Sequence, residues 1–225
     1  MDIVDKRVVV TGAASGIGKA LATEFKNEKA KDVILADLNE DVIKVAEELG
    51  FSGFVANVGK EEEVKDLISF ANKKMGGIDI FCSNAGIGGE IGLLDVSTEA
   101  WQTIWDVNFM AHAHAAKHLI PQMLDQGSGY LVNTASAAGL LTQIGAAPYS
   151  VTKAAAVSLA EWIKITYGKK GIGVSCLCPQ AVKTAMTAQG PGVAGVDGMI
   201  EADECAKDVI DAIQKERFLV TPHEE

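Results

Sequence analysis

Short, almost wholly apolar runs alternate with amphipathic stretches along this chain. Arg7–Thr11, Val33–Ala36, Phe51–Val58, Ile78–Ser83, Tyr130–Thr134, Gly173–Cys178 and Phe218–Thr221 read as strands. A strand with little polar/apolar alternation is one covered on both faces. Between them lie helical patterns. Ile17, Leu21 and Phe25 recur one turn apart between Gly16 and Glu28, a second helix covers Glu40–Leu49, and Val64, Leu67, Ile68 and Ala71 share one face of Glu61–Lys74. Further helices fall over His112–Met123 and Tyr149–Tyr167. Strands and helices in alternation predict an α/β fold, a single doubly wound parallel sheet of about seven strands with helices on both faces. No Pro/Ser-rich linker, tandem repeat or low-complexity tract interrupts it, so residues 1–225 are expected to form one domain.

Composition narrows the function classes. Of 225 residues, 48% are hydrophobic and 22% charged, which suits a packed core. A formal net charge of −10 argues against nucleic acid and against anionic membranes. The aromatic content of 6% is low for a stacking platform. Two acids in Met1–Asp5 are incompatible with a signal peptide. Cys82, Cys176, Cys178 and Cys205 form no C-x-x-C pair and are expected to be buried, reduced thiols in a cytoplasmic protein. The uncharged stretch from Gln126 to Thr152 is long enough for a bilayer, but Asn133, Gln143, Pro148 and several glycines make it a poor membrane helix.

The first strand runs into Thr11-Gly12-Ala13-Ala14-Ser15-Gly16-Ile17-Gly18. Glycines at this spacing permit a sharp turn and close approach to the next helix, whose N-terminus offers free N–H groups to a pyrophosphate. No Lys-Ser/Thr follows, which excludes a P-loop. Asp37 ends the second strand 19 residues after Gly18, where a carboxylate can accept hydrogen bonds from the adenosine ribose. A carboxylate repels a 2′-phosphate, and Ala14, Ser15, Leu38 and Asn39 bring no cation to receive one. NAD is therefore favoured over NADP.

From here the chain resembles the short-chain dehydrogenase/reductases, a family with a Rossmann-like fold. The glycine motif is similar to the family's cofactor loop. Ser83-Asn84-Ala85-Gly86, Asn108 in Trp105–Asn108, Ser136, Tyr149-Ser150-Val151-Thr152-Lys153 and Pro179-Gln180-Ala181-Val182-Lys183-Thr184 follow in the family's order and spacing. The resemblance implies a catalytic set of Asn108, Ser136, Tyr149 and Lys153. It also implies a cofactor site made of Gly12, Ser15, Gly16, Ile17, Gly18, Asp37, Leu38, Asn57, Val58, Asn84, Ala85, Gly86, Tyr149, Lys153, Pro179, Val182 and Thr184. Gln180 stands where the family has glycine, and Asn57 where it has aspartate. Tyr149 and Lys153 are four residues apart and share a helix face. A free phenol has a pKa near ~10, and a neighbouring ammonium together with the positive nicotinamide ring is expected to lower it. Ser136 is expected to bond the substrate oxygen. The resemblance gives Asn108 the task of orienting Lys153 through its backbone or a water.

Other features are expected to be structural. His114 and His118 lie four residues apart, but no H-E-x-x-H acid lies between them and no third ligand is evident, so with His112 they read as interface packing rather than metal ligands. Trp101 and Trp105 read as core, and Glu61–Glu63 and His223–Glu225 as solvated surface. The Tyr149–Tyr167 helix is apolar nearly all round, so its outer side needs a partner. A homodimer or homotetramer through this helix and His112–Met123 is expected, with Ala156 as one candidate for the outer face. Gly88, Ala138, Leu140, Gln143, Gln180 and Met186 are pocket candidates for an apolar alcohol or ketone. The leading function is hydride transfer between NAD(H) and a secondary alcohol or ketone. An NADPH-dependent reductase of 3-oxoacyl thioesters and a non-catalytic dinucleotide sensor stay open.

Overall fold

The computed structural model describes residues 1–188, 190 and 192–223. Seven strands form one parallel sheet in the order β3-β2-β1-β4-β5-β6-β7. They are β1 (Arg7–Thr11), β2 (Asp32–Asp37), β3 (Ser52–Val55), β4 (Ile80–Ser83), β5 (Gly129–Thr134), β6 (Ile172–Leu177) and β7 (Leu219–Val220). Helices α1 (Gly16–Asn27), α2 (Asp41–Leu49), α3 (Glu61–Met75), α4 (Thr98–Trp105), α5 (Ala111–Gln126), α6 (Ala147–Tyr167) and α7 (Ala202–Lys215) connect them. The strands sit where the apolar runs lie, although the third is shorter than Phe51–Val58 and Cys178 falls just past β6.

The strands separate two apolar layers because their side chains alternate in direction. Val8 and Val10 of β1 face a core built with α1, α2 and α7, whereas Val9 faces one built with α3, α5 and α6. Ile34, Phe81, Leu131 and Cys176 join Val9 on the second side. Helix α7 has strong amphipathy, with Val209, Ile210 and Ile213 buried, yet it is absent from the sequence-based reading, as is α4. Between α4 and α5 the chain makes one π-helical turn, Asp106–Met110, which carries Asn108.

Helix α6 is less uniform than its composition implies. Ala156 is fully buried against the sheet, so it does not belong to the outer face. The outer face carries Val151, Ala154, Ser158, Trp162 and Ile165, with Trp162 55% and Ile165 75% exposed. All four cysteines are buried free thiols. Among the described residues no helix is long and apolar enough to cross a membrane, and no His/Cys/Asp/Glu group could hold a metal.

Candidate active site

The carboxyl ends of β1, β2, β4, β5 and β6 border a cleft of about 600 Å³. The turn after β1 forms one wall. Gly12 has φ +67, and a Cβ there would lie 2.8 Å from Ala85 Cα. A Cβ on Gly18 would overlap the Gly12 carbonyl oxygen. Only glycine lets the turn, the first helix and the β4 loop approach this closely. Ser15 precedes α1 without capping it through its side chain, so the first-turn N–H groups open toward the cleft that Gly16, Ile17 and Gly18 line.

Side chains tie the strand ends together. Asn84 and Ala85 donate their N–H groups to Thr11 Oγ1 at 2.9 and 3.2 Å. Asn84 Nδ2 donates to the Thr11 carbonyl at 3.0 Å, and Thr134 Oγ1 donates to Asn84 Oδ1 at 3.0 Å. The ends of β1, β4 and β5 are thereby locked. At the far end, Asp37 Oδ2 accepts from Ala14 N–H at 3.0 Å and Oδ1 from Asn39 N–H at 2.9 Å. Both carboxylate oxygens keep a lone pair free to face the cleft.

Every residue that the sequence assigns to the cofactor lines this one cleft, and Ser136 lines it too. Lys153, only 3% exposed, donates from Nζ to the Thr134 carbonyl at 2.9 Å. Its Nζ lies 5.7 Å from the centroid of the Tyr149 ring. A Cβ built on Gly86 would sit 3.3 Å from both Lys153 Nζ and Asn108 Oδ1, so these groups converge over a position that a side chain would crowd. The Asn108 amide pairs chiefly with Ile87: Oδ1 accepts from Ile87 N–H at 2.8 Å and Nδ2 donates to the Ile87 carbonyl at 2.9 Å, with a longer donation from Nδ2 to Thr152 Oγ1 on α6 at 3.4 Å. Its side chain therefore braces the Asn84–Ile87 loop and makes no hydrogen bond to Lys153.

Burial dominates the electrostatics. It lowers the Lys153 ammonium to about 8. It pushes the Tyr149 phenol above its ordinary value, while the Ser136 hydroxyl beside it pulls the other way. In the protein alone desolvation sets the direction for the phenol; the expected lowering rests on Lys153 and the nicotinamide ring together. Among the described lining residues, Asp37 and Lys153 are the only charged side chains.

Several expectations need revision. Of the pocket candidates, Gln180 and Met186 line the cleft; Gly88, Ala138, Leu140 and Gln143 do not. Asn57 lines it, but its Oδ1 accepts from Gly59 N–H at 3.0 Å. Lys183 is drawn outward to Glu201. His112 is 1% exposed and is not an interface residue; burial, and secondarily Lys153, depress it to about 3. Glu61 is no free surface acid: it holds Lys117 Nζ at 2.7 Å and His118 Nε2 at 2.8 Å, with His114 Nδ1 at 3.7 Å. Trp101 and Trp105 are half-buried away from the cleft. His223 is buried rather than solvated; Glu224 and Glu225 lie outside the described residues. Sequence reasoning gave no role to the Thr134 carbonyl, which holds Lys153, or to the Ile87 backbone, which pairs with Asn108. Backbone roles leave no side-chain signature.

Comparison with known proteins gives the same picture. The family described as short chain dehydrogenase matches residues 6–191. The chain is 35% identical to the 1-deoxy-11-beta-hydroxypentalenate dehydrogenase of Streptomyces avermitilis, over 98% of this chain and 85% of that one. It is 38% identical to an uncharacterized oxidoreductase of Staphylococcus aureus, over 83% of this chain and 82% of the relative. A short-chain dehydrogenase/reductase from Burkholderia phymatum, solved in complex with NAD, superposes with a TM-score of 0.91 at 28% identity, covering 99% of this chain and 90% of that one. Levodione reductase superposes with a TM-score of 0.87 at 26% identity, covering 98% and 96%. The matched span runs from β1 past the Pro179–Thr184 strap and so takes in both walls of the cleft, which makes this chain a member of the short-chain dehydrogenase family, an oxidoreductase on a Rossmann-like sheet.

Proposed function

We propose that the protein transfers hydride between NAD(H) and a secondary alcohol or its ketone. The observation that carries this reading is one cleft with Asp37 at one end and Ser136, Tyr149 and Lys153 at the other. The residues present suit a nicotinamide dinucleotide. A glycine turn leaves room beside open helix N–H groups, the Asp37 carboxylate would accept from ribose hydroxyls, and Leu38 and Asn39 beside it would offer a 2′-phosphate no cation. When bound, the cofactor supplies the hydride acceptor that no side chain provides.

The chain's own residues handle the proton. In oxidation, the Tyr149 phenolate takes the proton of the alcohol hydroxyl, while Ser136 Oγ donates to the same oxygen and holds it in place. Reduction runs the transfer backwards. Burial raises the cost of the phenolate, so the positive charge of Lys153 is needed nearby. Lys153, at about 8, still carries that charge at neutral pH, and the Thr134 carbonyl fixes where it stands. Asn108 is a positioning residue, holding the loop opposite Lys153 through Ile87. The same reading includes a cytoplasmic homodimer or homotetramer that covers the Val151–Trp162–Ile165 face of α6.

A panel of secondary alcohols offered with NAD or NADP tests this. Reduced cofactor should accumulate with at least one alcohol, and much faster with NAD. No cofactor reduction by any alcohol, and no oxidation of NADH by the matching ketones, would overturn it.

A further inference from the structure

The imidazole of His223 is 8% exposed and is paired at both nitrogens. Gln180 N–H donates to Nδ1 at 3.2 Å. The ring proton therefore sits on Nε2, which donates to the Ala181 carbonyl at 3.0 Å. One ring thus bridges the donor of one residue and the acceptor of the next.

The register of the sheet brings this about. Leu177 pairs with Val220 in the parallel β6–β7 ladder, and Cys178 N–H still donates to the Val220 carbonyl at 2.8 Å. Three residues beyond this pair on each strand's continuation, position 223 stands opposite position 180. The strap so gripped is tethered on two other sides. Ala137 N–H donates to the Pro179 carbonyl at 2.9 Å, and Ile200 N–H reaches the Ala181 carbonyl at 3.2 Å. Gln180 N–H has only the imidazole as acceptor among the described residues. Pro179, Gln180 and Val182 all line the cleft.

We propose that His223 is a positioning residue, a clamp that sets the Gln180–Ala181 peptide and with it the wall of the cleft formed by Pro179, Gln180 and Val182, against which a bound cofactor would pack. The clamp rests on the functional reading above for its consequence, though not for its geometry. Removing the ring leaves a part-buried N–H without an acceptor, and such a donor draws the backbone toward water. The strap then moves, and the cleft loses the shape that three of its lining residues define.

Three forms of the full chain test the clamp: wild type, His223→Leu and His223→Gln. Glutamine offers an acceptor oxygen and a donor nitrogen in place of the acceptor and donor nitrogens of neutral imidazole; leucine offers neither. The dissociation constant for NAD should rise about tenfold (~1.4 kcal/mol) in His223→Leu and return to within about threefold of wild type in His223→Gln. The alcohol KM and kcat should move less than the cofactor constant. Amide hydrogen exchange at Gln180 should be at least about tenfold faster in His223→Leu than in wild type. If His223→Leu does not fold, His223→Phe fills the volume without polar atoms and takes its place. Unprotected exchange at Gln180 in the wild type overturns the clamp, as does an apolar variant that folds and keeps wild-type affinity and exchange. A glutamine variant as impaired as the leucine one does so too. A wild type that protects Gln180 but binds no nicotinamide dinucleotide overturns the functional reading instead.

Discussion

Replacing Asp37 with alanine should erase most of the preference for NAD. Asp37 lines the cleft, held by two backbone donors, Ala14 N–H at 3.0 Å and Asn39 N–H at 2.9 Å. Each hydrogen bond from a ribose hydroxyl to a carboxylate is worth ~1.5–3 kcal/mol. A phosphate in place of one hydroxyl loses such a bond and meets like charge. At a separation of about 4 Å that repulsion is ~1 kcal/mol per pair of unit charges in water and ~4 at a protein surface. Asp37 is half-exposed, so the lower figure is the safer one. Even the low ends sum to ~2.5 kcal/mol, more than a factor of ten in kcat/KM. Alanine removes both contributions and also strands two backbone donors, so NAD binding should weaken while the NAD/NADP ratio falls at least about tenfold. Leu38→Arg should lower the ratio further, because Leu38 is 66% exposed and an arginine there costs no core packing. Initial rates with each cofactor at a saturating alcohol measure the ratio. Equal efficiencies in the wild type, or a ratio untouched in Asp37→Ala, would refute the reasoning.

The phenol and its cation give two more expectations. Tyr149→Phe should lower turnover at least about 10²-fold, as loss of an acid–base group does, and spare NAD affinity as read by titration. Because burial raises the Tyr149 phenol, wild-type alcohol oxidation should climb with pH in proportion to the phenolate fraction; a profile flat from neutral to alkaline pH speaks against that base. Glu61 is depressed to about 2 by Lys117 and His118, so its contribution to stability is fully present above the ordinary value of 4.5 and is lost as pH falls toward 2. Chemical denaturation at several pH values should show the gap between wild type and Glu61→Gln closing over that window. Ser158→Glu, on the exposed face of α6, should yield monomers in light scattering, and a wild type that is already monomeric and active removes the assembly proposal.

What could be read from the sequence depended on whether a side chain or a backbone atom does the work. Strands β1, β2, β4, β5 and β6 appear as apolar runs because both their faces are covered. Gly12 and Gly18 are legible because no other residue fits beside Ala85 and the Gly12 carbonyl. Ser136, Tyr149 and Lys153 are legible because their side chains face the cleft. Helix α7 is absent from the sequence-based reading although Cys205, Val209 and Ile213 recur at helical spacing, because polar and acidic residues are interspersed between them. The burial of Ala156 depends on how α6 rotates against the sheet, which an all-round apolar pattern does not specify. His223 looks like part of a polar tail until the β6–β7 register sets it opposite Gln180.

The most direct test of the central claim follows the hydride itself. A secondary alcohol carrying deuterium at the carbinol carbon, incubated with the protein and NAD, should yield ketone and NADH holding one deuterium by mass spectrometry. Tyr149→Phe should bind NAD and transfer almost none. Unlabelled NADH, ketone formed without reduced cofactor, or equal transfer by the phenylalanine variant would contradict the account.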